Sequence, residues 1–297
     1  MKHLLLILST LAILPVTAVT FQDNDTVVLL GNTVIERAQK YGHLETALTL
    51  AADKENLKFR NLGWSGDTVY GHARSYFGPP AEGFRRLTAD LTELSPNVVI
   101  ICYGAVASFE GHEGLPGFLK GYETLVKMVK ATANPREIVI VSPPPAESLP
   151  SPMPDMSAHN KHLALYSAAL GQFAADHNLQ FTDLYTTVGQ VEGLTDNGIH
   201  LTDKGYQAIA PQFLEALGLE TPTQLKHGSV KQMREAIIAK NKLFFFRWRP
   251  ANETYLRLFR KHEQGQNVKE LPMFDPLIAN AEKDIESLRT SILALSK

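Results

Sequence analysis

The sequence predicts an α/β domain, a parallel sheet covered by helices on both faces, followed by a helical tail. Three observations predict it. Five short runs rich in β-branched and apolar residues lie at 26–30, 57–62, 97–103, 137–142 and 180–184. Between them the apolar residues recur at helical spacing. Past residue 219 the strand pattern stops, and residues 228–297 read as helices with an irregular centre. Strands that alternate with helices of this length pair in parallel through right-handed crossovers.

Each element has its own reason. Leu44, Ala47 and Leu48 recur three and four apart, which predicts one helix over residues 35–51. The same spacing predicts helices near 83–94, 115–131 and 158–177. The stretch from Pro143 to Pro154 holds six prolines. It can be neither helix nor central strand, so it predicts a rigid loop after the fourth strand. Ligands of such sheets bind beyond the carboxyl ends of the strands, so the residues just after each strand are where chemistry is expected.

The ends and the composition bound the rest. Lys2 and His3 precede an apolar run over residues 4–13, and Val16-Thr17-Ala18 offers small residues for cleavage. This predicts an export signal over residues 1–18 and a secreted or periplasmic protein. The run is too short for a stable bilayer anchor, so none is expected after cleavage. Residues 19–219 then form the α/β domain, and residues 220–297 an extension packed on it. A net charge of -2 gives no reason to expect a nucleic-acid partner. Cys102 is the only cysteine, so no intrachain disulfide forms, and its apolar run makes it a small buried hydrophobe. His159 and His162 sit three apart with no further ligand cluster, which reads as a solvated helix face. No metal or organic cofactor is expected.

Four segments after strands stand out together. They are Gly31-Asn32-Thr33, then Asn61-Leu62-Gly63-Trp64-Ser65-Gly66-Asp67-Thr68, then Tyr103-Gly104-Ala105-Val106, and finally Asp196-Asn197-Gly198-Ile199-His200-Leu201-Thr202. This set, in this order, resembles the SGNH/GDSL hydrolases over roughly residues 24–218. The resemblance implies a three-layer α/β/α sandwich with a five-stranded parallel sheet of flavodoxin-like order. It also implies hydrolysis of carboxylic esters, with small-molecule or polysaccharide esters, acetylated ones among them, as substrates by family analogy alone.

Acyl transfer needs a hydroxyl activated by an imidazole, a carboxylate that holds the imidazole's tautomer, and preorganised donors for the oxyanion. In the family, the first block ends in Gly-Asp-Ser, whose serine attacks. The second block gives a glycine N–H to the oxyanion hole, and the third, Gly-x-Asn-Asp, an asparagine side chain. The last, Asp-x-x-His, gives the base and its orienting residue. Here Thr33 falls at the serine, and its extra methyl restricts χ1. Asn32 replaces the aspartate before it, and Gly66 matches the oxyanion glycine. Val106 falls at the asparagine position and has no donor. His200 matches the base, Asn197 stands three residues before it, and Asp196 one residue earlier.

Some readings stay open. Thr33 is either the nucleophile or a helix cap. Either Asp196 or Asn197 orients His200. Gly66-Asp67-Thr68 is either oxyanion hole or plain turn. A group of secreted SGNH-like proteins has Gly-Asn-Thr as its first block and Asn-Glu-Ser-Phe in the third. Threonine is then a group feature, whereas Val106-Ala107-Ser108-Phe109 is this chain's own departure. The departures favour weak turnover, and the alternative is a non-catalytic module that binds carbohydrate or another ligand. In the tail, Phe244-Phe245-Phe246-Arg247-Trp248-Arg249-Pro250 predicts a helix docking its aromatic face on the domain, with Arg247 and Arg249 near the pocket rim.

Overall fold

The computed structural model describes residues 18–295. The predicted export signal, apart from Ala18, lies outside the described residues. The five strands are β1 (Thr26–Gly31), β2 (Lys58–Asn61), β3 (Val98–Cys102), β4 (Glu137–Val141) and β5 (Gln180–Thr182). All pair in parallel in the order β2-β1-β3-β4-β5, the flavodoxin-like order. Each predicted run is a strand; the first extends one residue further than expected, to Gly31, and the other four are shorter by one or two residues.

The side-chain period of two divides the sheet between two cores. Val27, Leu29, Val98, Ile100, Val139 and Val141 face one layer. That layer is α1 (Thr33–Tyr41), α2 (His43–Ala51) and α7 (Asp203–Ala216), which add Ile35, Leu44, Leu48 and Phe213. Val28, Leu30, Val99, Ile101, Ile138 and Ile140 face the other. There α3 (Pro80–Leu94), α4 (Gly111–Ala133) and α5 (Ser157–Asp176) supply Leu91, Leu125, Val129 and Leu170. A short α6 (Leu184–Val188) follows β5.

The single helix predicted over 35–51 is two. Gly42 sits at φ 72° between α1 and α2 and ends the first in a left-handed cap. A periodic pattern continued across this break because both helices bury the same side. Because α1 starts two residues after β1 ends, its first turn faces the carboxyl end of that strand.

The tail is helical, as expected. It comprises α8 (Val230–Trp248), the short α9 (Glu253–Leu256) and α10 (Lys261–Gln264), a 3-10 stretch Gly265–Met273 and α11 (Phe274–Ala294). Helix α8 packs along β2, an edge strand of the sheet. A bare strand edge is an aggregation hazard, and the tail covers this one. Lys240 of α8 is 1% exposed and donates to the Phe59 carbonyl at 3.1 Å. Its ammonium also pairs with Glu45 at 2.6 Å, and Asn241 holds the other Glu45 oxygen at 2.7 Å. A buried charge satisfied on every side is costly to strip of one partner, by roughly 3–5 kcal/mol.

Candidate active site

The site is built on the first turn of α1, between the loop after β2 and the loop before α7. Two close approaches place that turn. A Cβ on Gly31 would lie 2.4 Å from the Cys102 carbonyl oxygen, and one on Gly63 2.3 Å from the Glu36 amide nitrogen. Glycine at both positions lets β1, β3, α1 and the β2 loop come together.

Thr33 is the first residue of α1, and Asn32 holds the cap position without a side-chain cap bond. Thr33 is therefore not the helix cap. Its half-buried Oγ1 instead accepts from the Gly66 N–H at 3.4 Å. Gly66 has φ 73°, a left-handed conformation that suits glycine, and this aims its N–H at α1. Asn32 is 2% exposed and contributes its carbonyl to the amides of Ile35 and Glu36. No hydrogen bond joins Thr33 directly to His200 among the described residues.

The loop around Gly66 is held from beneath and from the side. Beneath it, Asp67 is fully buried, takes Arg74 Nε at 2.7 Å and accepts from the Tyr103 hydroxyl at 2.8 Å. Asp67 is thus a structural anchor beside Gly66. From the side, Glu36 accepts from the Ser65 N–H and pairs with Arg249 at 2.9 Å. The Arg249 guanidinium lies 3.7 Å from the Trp64 ring centroid. The tail therefore reaches the second block directly, through a residue expected at the rim. Arg247 instead pairs with Glu93 and Asp275. The aromatic face docks as expected, Phe244 being buried and Trp248 packed 5.9 Å from Trp64.

The last block is a tight loop closed by a bridge between Thr195 and Leu201. Asn197 Oδ1 accepts from the amides of Ile199 at 3.1 Å and His200 at 2.8 Å. Its amide nitrogen then lies 3.2 Å from His200 Nδ1. Arg37, one helical turn after Thr33, places Nη1 at 3.4 Å from the same Nδ1. Asp196 lies 3.9 Å from Nδ1, beyond hydrogen-bond reach, and is bound by Arg37 at 2.8 Å. Of the two candidates for orienting His200, the geometry selects Asn197.

These contacts decide the tautomer. The guanidinium and the Asn197 amide nitrogen both donate, so Nδ1 accepts and the neutral ring carries its proton on Nε2. Burial, helped by the Arg37 charge, lowers the His200 pKa; Asp196 opposes this weakly. An aspartate at position 197 would put an oxygen where the donor now stands. That swap moves the proton to Nδ1 and frees the Nε2 lone pair for base work.

The third block brings no side-chain donor. Val106 is 38% exposed and begins the turn that leads into α4. Ser108, buried next to it, donates to the Ala105 carbonyl at 3.1 Å. His159 stacks on Phe109 at 3.8 Å, so its ring packs rather than facing solvent. Among the described residues no cluster of three or more His, Cys, Asp or Glu is placed to hold a metal. Cys102 is buried, and burial pushes its thiol up to about 12, which excludes it as a nucleophile at neutral pH.

Arg37, Glu36 and Glu147 were not read from the sequence. Arg37 had a signal, since a residue four after Thr33 shares its helix face. Glu36 had none, because its partner Arg249 lies 213 residues away in the chain. Glu147, in the proline-rich loop, was also missed. It accepts from the amides of Gly193, Leu194 and Thr195 and fixes the last-block loop. Burial favours its neutral form, but those bonds and the Thr195 hydroxyl hold its carboxyl below the ordinary range.

Residues 35–208 match the GDSL-like lipase/acylhydrolase family. The chain belongs to that family. The match begins two residues after Thr33 and does not cover it. An acetylxylan esterase from Geobacillus stearothermophilus, Axe2, has a similar fold. It is 15% identical, with TM-score 0.52 over 69% of this chain and 100% of that one. BT4096, a gut microbial diltiazem-metabolizing enzyme, is 12% identical, with TM-score 0.64 over 93% of this chain and 96% of that one. The second match extends into the C-terminal helices. No curated protein matches this chain in sequence.

Proposed function

We propose that this chain is a slow carboxylic ester hydrolase of the extracytoplasmic space, with acetylated carbohydrate as its substrate class. The observation that carries the reading is Thr33 Oγ1 against the Gly66 N–H at the carboxyl end of the sheet, with His200 against Arg37 one turn further along α1. In this reading Thr33 Oγ1 bonds to the ester carbonyl carbon, and the Gly66 N–H holds the oxyanion. His200 Nε2 carries the hydroxyl proton to the departing alcohol, and water then releases the acid. Support for the substrate comes from the acetylxylan esterase that shares the fold. Support for export comes from the charged and apolar start of the chain. Axe2 has catalytic mutants at a serine, an aspartate and a histidine, the last two three positions apart. Asn197 and His200 keep that spacing and lose the charge.

The rate is low for a stated reason. The ring accepts a proton at Nε2 only from its minor tautomer, and the third-block donor is missing. Release of 4-nitrophenol from 4-nitrophenyl acetate tests the reading. Thr33→Ala is expected to lower kcat at least a hundredfold; unchanged turnover would remove Thr33 as nucleophile. The donors on His200 Nδ1 favour a second reading, a binding module. Acetylated xylo-oligosaccharide bound without turnover would select it.

A further inference from the structure

We propose that the cavity between the α/β domain and its tail binds a neutral oligosaccharide, whose hydroxyls donate to the Asp90 carboxylate. That the sugar belongs to the ester substrate rests on the reading above; that a sugar binds does not. The cavity holds 560 Å3, within the range of small-ligand sites. Leu62 and Trp64 line it from the loop after β2, Asp90 from α3, and Phe244, Trp248 and Ile278 from the tail. Thr33, Gly66 and His200 do not line it.

The charges decide against an ionic ligand. The arginines of the lining are already matched: Arg60 with Glu282, Arg86 and Arg257 with Glu253, Arg247 with Asp275, Arg85 with Glu82. Of the lining cations only Lys58, which is exposed, lacks a carboxylate among the described residues. An anion therefore finds no free guanidinium. A cation finds arginines already on the rings, Arg86 4.7 Å from the Tyr76 centroid and Arg60 5.3 Å from that of Phe244. Asp90 is the exception among the carboxylates. It has neither hydrogen bond nor ion pair among the described residues, and burial pushes its carboxyl up to about 7, with Glu93 adding to this and Arg74, Arg86 and Arg257 opposing it. In the same walls, buried Trp248 Nε1 and Arg86 Nε have no acceptor. A sugar answers this combination. Its hydroxyls both donate and accept, and its C–H faces cover apolar wall such as Leu62 and Ile278.

Trp64 and Trp248 are the chain's two tryptophans, and both line this cavity, so tryptophan fluorescence reads it directly. The full chain is titrated with xylotriose, cellotriose and mannotriose. At least one is expected to give a saturable shift at pH 8. Hydroxyl donors favour the ionised carboxyl, and no histidine lines the cavity, so binding weakens about five- to tenfold at pH 6. Asp90→Asn keeps the shape and is expected to lose that pH dependence. Asp90→Ala removes a charge-assisted bond and weakens binding about tenfold or more at pH 8. Ala279→Trp, which fills the cavity from α11, is expected to abolish binding, whereas Thr33→Ala binds as wild type does. No shift with any of the three sugars, binding unchanged in Asp90→Ala and Ala279→Trp, or binding lost in Thr33→Ala each overturns the proposal. Should Asp90→Ala fail to fold, the pH profile of Asp90→Asn decides: a profile like that of wild type overturns it. Turnover of 4-nitrophenyl acetate in the same samples separates the two claims. Turnover without sugar binding refutes this inference and spares the hydrolase; sugar binding without turnover does the reverse.

Discussion

The loops that meet α1 from either side are built on opposite plans. The loop after β2 keeps the backbone donor that the proposed oxyanion hole draws from it. Gly66 points its N–H at Thr33, Asp67 and Arg74 lock it from below, and Glu36 and Arg249 brace it from the side. The loop before α7 keeps the shape of an acid–base pair and inverts its proton logic. Asn197 stands where a carboxylate would accept from Nδ1, and it donates instead. A site's geometry and its proton inventory are thus separate properties, because an amide and a carboxylate are nearly the same shape and differ in where the hydrogen sits.

The sharpest way to break this comparison is Asn197→Asp. The loop already presents that position to two backbone amides and to Nδ1, so the carboxylate is accommodated without rearrangement. The reverse change in a serine protease triad costs about ten-thousandfold in kcat through the wrong tautomer. A gain of about a hundred- to ten-thousandfold in 4-nitrophenyl acetate turnover is expected. Its acidic limb should also move to higher pH, since the new carboxylate favours the imidazolium. No gain would mean that the tautomer is not what limits the site.

Next in size is Val106→Asn, made on the Asn197→Asp background. One oxyanion donor is worth about a hundredfold or more. Val106 is partly exposed at the third block, so an amide there has room. A gain of about ten- to a hundredfold in kcat with KM little changed is the expected signature of a donor used only in the transition state. A fall in KM alone would instead mark Val106 as part of the binding wall.

How far the sequence carried the reading follows the same divide. The strands were legible because β-branched runs have a local signature, and so was the position of each block after its strand. The candidates Thr33, Gly66 and His200 were read as a set for that reason. The choice between Asp196 and Asn197 was not, because it depends on which side chain the Thr195–Leu201 loop turns inward. Arg37 took Asp196 out of contention, and no local pattern announces a pair between residues 159 apart. The break at Gly42 was missed because apolar spacing continued through it. Arg249 was read as reaching the rim, but its partner on α1 appears only once the tail is folded back over β2.

The brace on the second block gives a smaller effect of a different kind. Arg249→Ala removes a stacked cation and a half-buried ion pair, worth together about 1–2 kcal/mol, and should lower Tm by several degrees. Arg249→Lys restores the charge opposite Glu36 but not the flat contact on Trp64. If the tail positions Gly66, the lysine variant recovers Tm more fully than kcat, and the Ser65 amide exchanges faster in both. Equal recovery of the two would make Arg249 a stability residue only.

The smallest expected effect is on the stability curve, and it belongs to the last block. The folded pKa of His200 lies below the ordinary value of 6.5. Folding therefore disfavours the protonated ring: the unfolded chain binds the proton more readily, and stability falls as pH drops through the unfolded pKa toward the folded one. Arg37→Met removes a donor and a positive charge from Nδ1, so that penalty shrinks. The ring is about one-third exposed, which screens the effect. Between pH 7.5 and 5.5 the wild type should therefore lose about 1–2 °C more in Tm than the variant does. Parallel curves would show that Arg37 acts on Asp196 alone. The inverted proton logic of the last block would then rest on Asn197 without help.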